Sequence, residues 1–525
     1  MRTFCIFIIS IFLLSGLHAQ VIDVQHYNFE LHLSDASDTL KGTATISMRF
    51  LKTSNRCYLN LASVANGTGM QVYRVAAQDT SFSFTHAHDT LAITFSDSIQ
   101  QGAVQGVTII YAGIPADGLI ISKNRWRNRT FFADNWPNRA HQWLPCNDRP
   151  DDKATVAFSV IAPSQYRIIS NGVLQEETPL PNNQTRTRWQ EAVPIPTKVM
   201  VIGAARFAVK NYPDSSVVPV SAWVYPQDSA KGFYDYALAP EILSFFNTYI
   251  GAYPFEKLAN VQSKTVFGGM ENASCIFYAE NSVTGTRKSE DLLAHEIAHQ
   301  WFGNSATEQS FAHLWLSEGF ATYLAHLYLA RKYGHAILVK RLHDDRKEII
   351  QFAKQWPNPV VDSLSALMDL LNANSYQKGS WVLHMLRQEV DDTVFQNIIR
   401  TYYDRYKYSN ADTWAFEKVA EAVSGKDLNT FFKQWLFTPG VPQLQVQWQW
   451  KKGQLFITVR QQQPQPFAFS LTIGMYRNSK KFTERQLAIT NAVETFTLPA
   501  PQKPVRVVLD PDTNLLFEGT ITETK

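Results

Sequence analysis

His295 and His299 stand four residues apart with Glu296 between them, and Glu318 follows nineteen positions after the second histidine. No other feature limits the fold of this chain as tightly. Residues four apart share one face of an α-helix, so both imidazoles can converge on one ion. The spacing predicts a helix from about Glu290 to about Phe302, opened by Ser289-Glu290-Asp291, a capping residue followed by acidic residues. Glu296 is turned by about 100° from His295 and borders the site without binding the ion. Glu318 must then come from a second helix packed across the first. The run from about Ser317 to Arg331 reads as that helix, with Glu318 in its first turn.

An H-E-x-x-H pentad alone also occurs on ordinary helices. The added glutamate on a second helix turns it into a ligand set. Two imidazoles and one carboxylate leave a fourth position for water, and a free carboxylate stands beside it. Those are the parts of a zinc hydrolase. The expected cofactor is one Zn2+ per chain, held by His295, His299 and Glu318, with Glu296 as general base. His313, His326, His335 and His343 form no comparable pattern and read as surface or core residues.

The run His295-Glu296-Ile297-Ala298-His299-Gln300-Trp301-Phe302-Gly303-Asn304, then Leu314-Trp315-Leu316-Ser317-Glu318-Gly319-Phe320-Ala321, resembles the M1 family of zinc aminopeptidases. These are gluzincins, whose third ligand is a glutamate. Gly268-Gly269-Met270-Glu271-Asn272 resembles the family's G-x-M-E-N exopeptidase motif, and Tyr376-Gln377-Lys378-Gly379 its Tyr-x-Lys-Gly segment. The resemblance implies an aminopeptidase N-like enzyme acting on peptides with a free N-terminus. It implies that Glu271 holds the substrate ammonium, which a carboxylate can do through a charge-assisted hydrogen bond. Gly268 and Gly269 would let the backbone approach an extended peptide, and Met270 would line the first side chain. Tyr376 would donate its hydroxyl to the oxyanion. Glu296 would take a proton from the attacking water and deliver it to the leaving amine.

Two segments depart from the family pattern. Trp143-Leu144-Pro145-Cys146-Asn147-Asp148-Arg149-Pro150 resembles the family's F-P-C-x-D-x-P stretch. Upstream of it many members carry a Gln or Glu that also holds the amine. An ungapped count places Trp136 there, which cannot accept from an ammonium, and Asp134 stands close by. The second amine anchor is left unassigned. Ser310-Phe311-Ala312-His313 differs from the commoner aromatic-Asn-Asp form, which brings into question a carboxylate behind a ligand histidine.

Around this centre the chain reads as a multidomain α+β protein. Alternating segments such as Tyr27–Leu33, Thr43–Phe50 and Thr155–Val160 point to an N-terminal β-sandwich over residues 20–213. Helical periodicity dominates 214–440, interrupted by strand-like Val261–Ala279, as in a thermolysin-like α+β catalytic domain. Thr438-Pro439-Gly440-Val441-Pro442 breaks the chain before a small C-terminal β-sandwich over 441–525. The resemblance implies a short form, ending before the long helical domain of larger members, with a more open substrate chamber.

At 525 residues, 45% hydrophobic and 18% charged, the chain is long enough for several cores and excludes a largely disordered protein. A net charge of +3 with well-mixed signs gives no electrostatic case for nucleic acid. Arg2, the apolar run Phe4–Leu17 and Leu17-His18-Ala19 read as a secretory signal over residues 1–19, an uncleaved anchor being the alternative. The expected location is secreted or periplasmic, with no stable membrane span after cleavage. Cys57, Cys146 and Cys275 then allow at most one disulfide. Two other readings of the same scaffold are a gluzincin endopeptidase, against which Glu271 argues, and a non-catalytic peptide-binding protein. The second would be expected to have lost a ligand, the base or the tyrosine. The sequence leaves oligomeric state open.

Overall fold

The computed structural model describes residues 21–213, 215–477 and 480–524. The secretory signal read over residues 1–19 lies outside the described residues.

The N-terminal region is β-rich. Its largest sheet has eight strands in the order Val173–Leu180, Gln184–Pro196, Lys153–Pro163, Ile22–His32, Leu40–Phe50, Val104–Ile114, Gly69–Ala77 and Thr80–Ser81. Strand Ile22–His32 shows why it belongs there. Ile22 and Val24 point inward, then the alternation shifts and Tyr27, Phe29 and Leu31 are buried. A register shift between Val24 and His26 supplies the extra residue, so one strand keeps its apolar side inward across a bulge. A four-stranded and a three-stranded sheet complete this region. Cys57, Cys146 and Cys275 are all free and buried.

The central region begins with a five-stranded sheet: Ala208–Tyr212, Val220–Val224, Leu258–Ser263, Cys275–Ala279 and Gly269–Met270. Leu258–Ser263 is buried along its whole length and pairs in parallel on both sides. Such a strand reads as a continuous run rather than an alternation. Gly269–Met270 is antiparallel to Cys275–Ala279 and occupies the sheet edge. Ala208–Tyr212 joins this sheet although it precedes the break at Pro213.

Helices follow: Glu290–Ala298, Trp315–Tyr333, His335–Gln355, Gly379–Val390, Asp392–Tyr406, Thr413–Ser424 and Asn429–Phe437. Trp315–Tyr333 is buried nearly all round, so it is the central helix of this region. Gly334, with φ of +93°, ends it, a backbone turn that glycine adopts without strain. Beyond Thr438 the chain forms a four-stranded sheet, Val493–Pro499, Gln454–Gln461, Gln443–Lys451 and Glu518–Glu523, and a three-stranded one.

Candidate metal centre and substrate cavity

The helix Glu290–Ala298 carries His295 and Glu296 and hands His299 to the turn that follows. It stops at Ala298 rather than Phe302. Gly303, at φ of +120°, turns the chain back, so that the Asn304 amide donates to the His299 carbonyl at 3.1 Å. A side chain at Gly303 would run into Ser317 Oγ and lie 3.1 Å from His299 Nδ1. The turn therefore leaves His299 Nδ1 within 3.1 Å of both Ser317 Oγ and the Phe302 carbonyl. A carbonyl only accepts, so Nδ1 bears the proton and Nε2 is left to face the cavity.

His295 Nε2 and His299 Nε2 are 3.0 Å apart and lie 3.3 and 3.2 Å from Glu318 Oε2. The three ligand atoms all fall within 4.8 Å of one another. Zinc–nitrogen bonds of about 2.0–2.1 Å in a tetrahedral shell place two nitrogens about 3.3 Å apart. Glu318 Oε2 is buried and accepts no hydrogen bond. An acceptor abandoned between two imidazoles has a cation as its natural partner, so the donor set fits zinc. Among the described residues this is the group of His, Cys, Asp and Glu that could hold a metal ion. His313 bonds Thr413, His326 bonds Asp345 and His343 bonds Thr513, none of them within the group.

The electrostatics follow from burial and crowding. Burial alone would raise Glu318, but the imidazoles of His299 and His295 outweigh it and hold the carboxyl below its usual range. Burial pulls His299 down, yet Glu318, Glu271 and Glu296 together carry it up to about 10. His295 is lowered by burial. Burial pushes Glu296 well above the carboxylate range, with Glu271 and Glu318 adding to the effect and His299 opposing it.

Tyr376 sits on a π-helical turn, Asn374–Lys378, followed by the helix Gly379–Val390. Its ring stacks on His295, with centroids 5.9 Å apart and planes 16° from parallel. Burial and the neighbouring Glu318 raise its hydroxyl well above the phenol range, so it stays protonated and able to donate. Two glycines place it. A Cβ at Gly319 would lie 2.8 Å from the Gly379 backbone, and one at Gly379 would lie 3.1 Å from Gly319 Cα. The glutamate helix and the tyrosine helix therefore meet backbone to backbone, one residue from Glu318 and three from Tyr376.

Gly268, Gly269, Met270 and Glu271 line the same cavity of about 430 Å³, together with His295, Glu296, Glu318 and Tyr376. The Glu296 carboxylate lies where a side chain at Gly269 would be. Glu271 is buried, and its Oε1 has no hydrogen-bond partner. Its carbonyl accepts from Gln300 Nε2 and Asn304 Nδ2, both at 2.7 Å, while Gln300 Oε1 accepts from the Ser274 amide at 2.8 Å. These two amides tie the edge strand to the turn that follows His299. Both residues stand in the His295–Asn304 run, whose spacing gives them no role of their own. Thr322 also goes unassigned in the sequence. It lines the cavity one turn after Glu318, with its hydroxyl 3.5 Å from His295 Nδ1. Its four-residue spacing from Glu318 was the available signal. Among the described residues no carboxylate stands behind His295 or His299; carbonyl and hydroxyl groups take that place.

Asp134 does not reach the cavity. It is fully buried, one oxygen paired with Arg139 at 2.7 Å and the other accepting from Thr265 Oγ1 and the Val266 amide at 3.0 Å. Trp136 lines the cavity instead, packed edge-on against Phe267 and Phe311.

Residues 234–435 match the Peptidase family M1 domain and residues 23–199 the Peptidase M1 N-terminal domain. Together the two matches take in well over half of the chain, which belongs to peptidase family M1. It is 24% identical to glutamyl aminopeptidase of Rattus norvegicus, over 79% of this chain and 47% of that protein. It is 27% identical to aminopeptidase A of Gloydius brevicauda over 60% and 35%, and 24% identical to aminopeptidase M1 of Arabidopsis thaliana over 80% and 50%. The chain thus spans about half the length of the curated relatives it matches.

Proposed function

We propose that this chain is a secreted or periplasmic zinc-dependent aminopeptidase that removes N-terminal residues from peptides. The observation that carries the reading is Glu271 Oε1, a buried acceptor without a partner beside the metal group. A substrate ammonium is the donor that would satisfy it, and this sets the first peptide bond beside His295, His299 and Glu318. When bound by those three residues, zinc supplies positive charge to polarise a carbonyl and to acidify a water. The backbone of Gly268 and Gly269 holds the substrate chain against the sheet edge. Glu296 takes the proton of the attacking water and returns it to the leaving amine. Tyr376 donates its hydroxyl to the oxyanion.

The cavity near Glu271 is walled by Trp136, Phe267 and Met270, with no cation among them. An apolar first side chain suits such a wall better than the acidic one in the names of the glutamyl aminopeptidases. No helix among the described residues is long and apolar enough to cross a membrane. The division into residues 1–19, 20–213, 214–440 and 441–525, with a sandwich at each end, belongs to the same proposal. Strand Ala208–Tyr212 favours moving the first boundary slightly earlier.

Release of chromophore from amino-acid anilides tests the reading. We expect leucine anilide to be cleaved faster than glutamate anilide, N-acetylated anilides to be inert, and activity to vanish with a chelator. Purified protein should contain about one zinc per chain. Cleavage of blocked and free substrates at one rate would overturn it.

A further inference from the structure

The cavity extends beyond the metal group to a second charged end. Helix Trp315–Tyr333 lays Glu318, Thr322, Ala325 and His326 along it, a single helical face. Helix Glu290–Ala298 lays Glu296, His295, Leu292 and Asp291 along it, and helix His335–Gln355 adds Arg341 and Asp345. The ends of this cavity differ. Glu271 is held by Gln300 and Asn304, past the C-terminal end of the motif helix. Arg341 donates to Asp291, in the first turn of that helix, at 2.9 Å. At about 1.5 Å of rise per residue the two ends are about 13 Å apart, with the metal group between them.

The edge strand fixes the direction of a bound peptide. Gly268 lies against Leu292, Gly269 against Glu296, and Glu271 against Gln300, so strand and helix run side by side in one direction. A peptide paired antiparallel to this strand, with its ammonium on Glu271, runs back past Gly268 toward Arg341. Extended chain covers about 3.3–3.6 Å per residue; with a hydrogen bond of about 2.9 Å at each end, the remaining span of about 7 Å is the two rises between three residues.

The charges at the far end leave donors to spare. Asp345 is committed to His326 Nε2 at 2.9 Å. Asp291 takes one guanidinium nitrogen of Arg341 through a single contact rather than a fork. The remaining N–H groups of Arg341 have no other acceptor among the described residues, and the side chain is 35% exposed on the cavity wall. A guanidinium offers five donors matched to a planar carboxylate. We infer that Arg341 binds a carboxylate at the leaving-group end, namely the C-terminal α-carboxylate of a peptide of about three residues. The site is thereby adapted to short peptides. This inference rests on the aminopeptidase reading.

The test compares alanine tripeptide as free acid and as C-terminal amide, with alanine anilide as control. We expect kcat/KM for the acid to exceed that for the amide by roughly 5- to 20-fold, mainly through KM, as suits a partly exposed charge pair. The ratio should shrink as salt is raised. In Arg341→Gln it should fall to within about two-fold of unity, with zinc content retained. Equal rates on acid and amide in the wild type, or an undiminished ratio in Arg341→Gln, would overturn the inference. So would Ala-Glu-Ala amide outpacing the tripeptide acid, which would assign the site to an acidic side chain. Failure to release the anilide removes the aminopeptidase reading and this inference with it. Release of anilide together with equal acid and amide rates removes this inference alone.

Discussion

Glu296 and Glu271 line one cavity in different surroundings, which is why different roles are proposed for them. Glu296 borders the ligand triad without joining it, and burial raises its carboxyl well above the ordinary range. Glu296→Gln keeps the shape and removes the proposed base. We expect zinc to stay bound and kcat to fall by at least about 10²-fold; near-normal turnover would place the base elsewhere. Glu271 has an unpartnered oxygen where an ammonium would lie. Glu271→Gln weakens a charge-assisted hydrogen bond worth about 1.5–3 kcal/mol, so kcat/KM should drop roughly 10- to 150-fold. Matched free and acetylated peptides provide the check: the variant should discriminate less between them, and unchanged discrimination would exclude Glu271 as the amine anchor. The sequence singles out both residues because their motifs state type and spacing, and the structure brings both to the cavity. The sequence does not single out Gln300 or Asn304, since an amide whose task is to hold a carbonyl has no spacing rule of its own.

At the scale of elements the site is a crossing of helices. The glutamate helix and the tyrosine helix touch at Gly319 and Gly379, and that contact sets how near Tyr376 comes to Glu318. Gly319→Ala puts a methyl group 2.8 Å from the partner backbone, and backbone cannot swing aside. Overpacking of this kind costs about 1–3 kcal/mol. We expect a lowered Tm and a loss of kcat, because the contact lies one residue from Glu318 and three from Tyr376. A variant with wild-type Tm and kcat would show that the helices have slack. The sequence made the two metal helices readable, since their periodicity and the histidine spacing agree. It hid the end of the first helix, where Gly303 turns the chain at φ of +120°. It also hid the π turn under Tyr376, because a five-residue change of helical pitch leaves no mark on apolar periodicity. Asp134 stands near the expected second anchor in sequence but away from the cavity, for a related reason. Proximity in sequence to the expected anchor says nothing of which side of the wall a side chain takes, and Arg139, Thr265 and Val266 hold it behind that wall.

Across the whole molecule the centre is held from both flanks. From the N-terminal β-rich region, Lys153 donates to the carbonyls of Asn304 and Ser305, in the turn that follows His299. From the other side, Arg346 pairs with Asp510 at 2.8 Å and stacks between Trp381 and Phe517. Lys378, two residues after Tyr376, donates to the carbonyls of Thr438 at 3.3 Å and Gly440 at 2.8 Å, where the chain passes into the C-terminal sheets. Burial pushes the Lys378 amine down to about 7. A neutral amine still has two N–H groups, enough for both carbonyls, so the tie survives loss of the proton. The unfolded chain holds that proton up to about pH 10.4. Between about pH 7 and pH 10 the unfolded state therefore binds more protons than the folded state, and this group's contribution to stability rises with pH. Below pH 7 both states are protonated and the cost of burying the charge is present in full. Lys378→Met removes the titration and leaves two carbonyls unpaired. We expect the variant to be less stable at pH 9, where the wild type has its neutral tie, and the gap to narrow toward pH 6, where the wild type must bury a charge. Melting curves of both proteins at pH 6, 7.5 and 9 measure the gap, and the difference between them cancels the other groups that titrate in this window. A gap that stayed constant or widened toward pH 6 would mean that Lys378 keeps its proton in the folded protein.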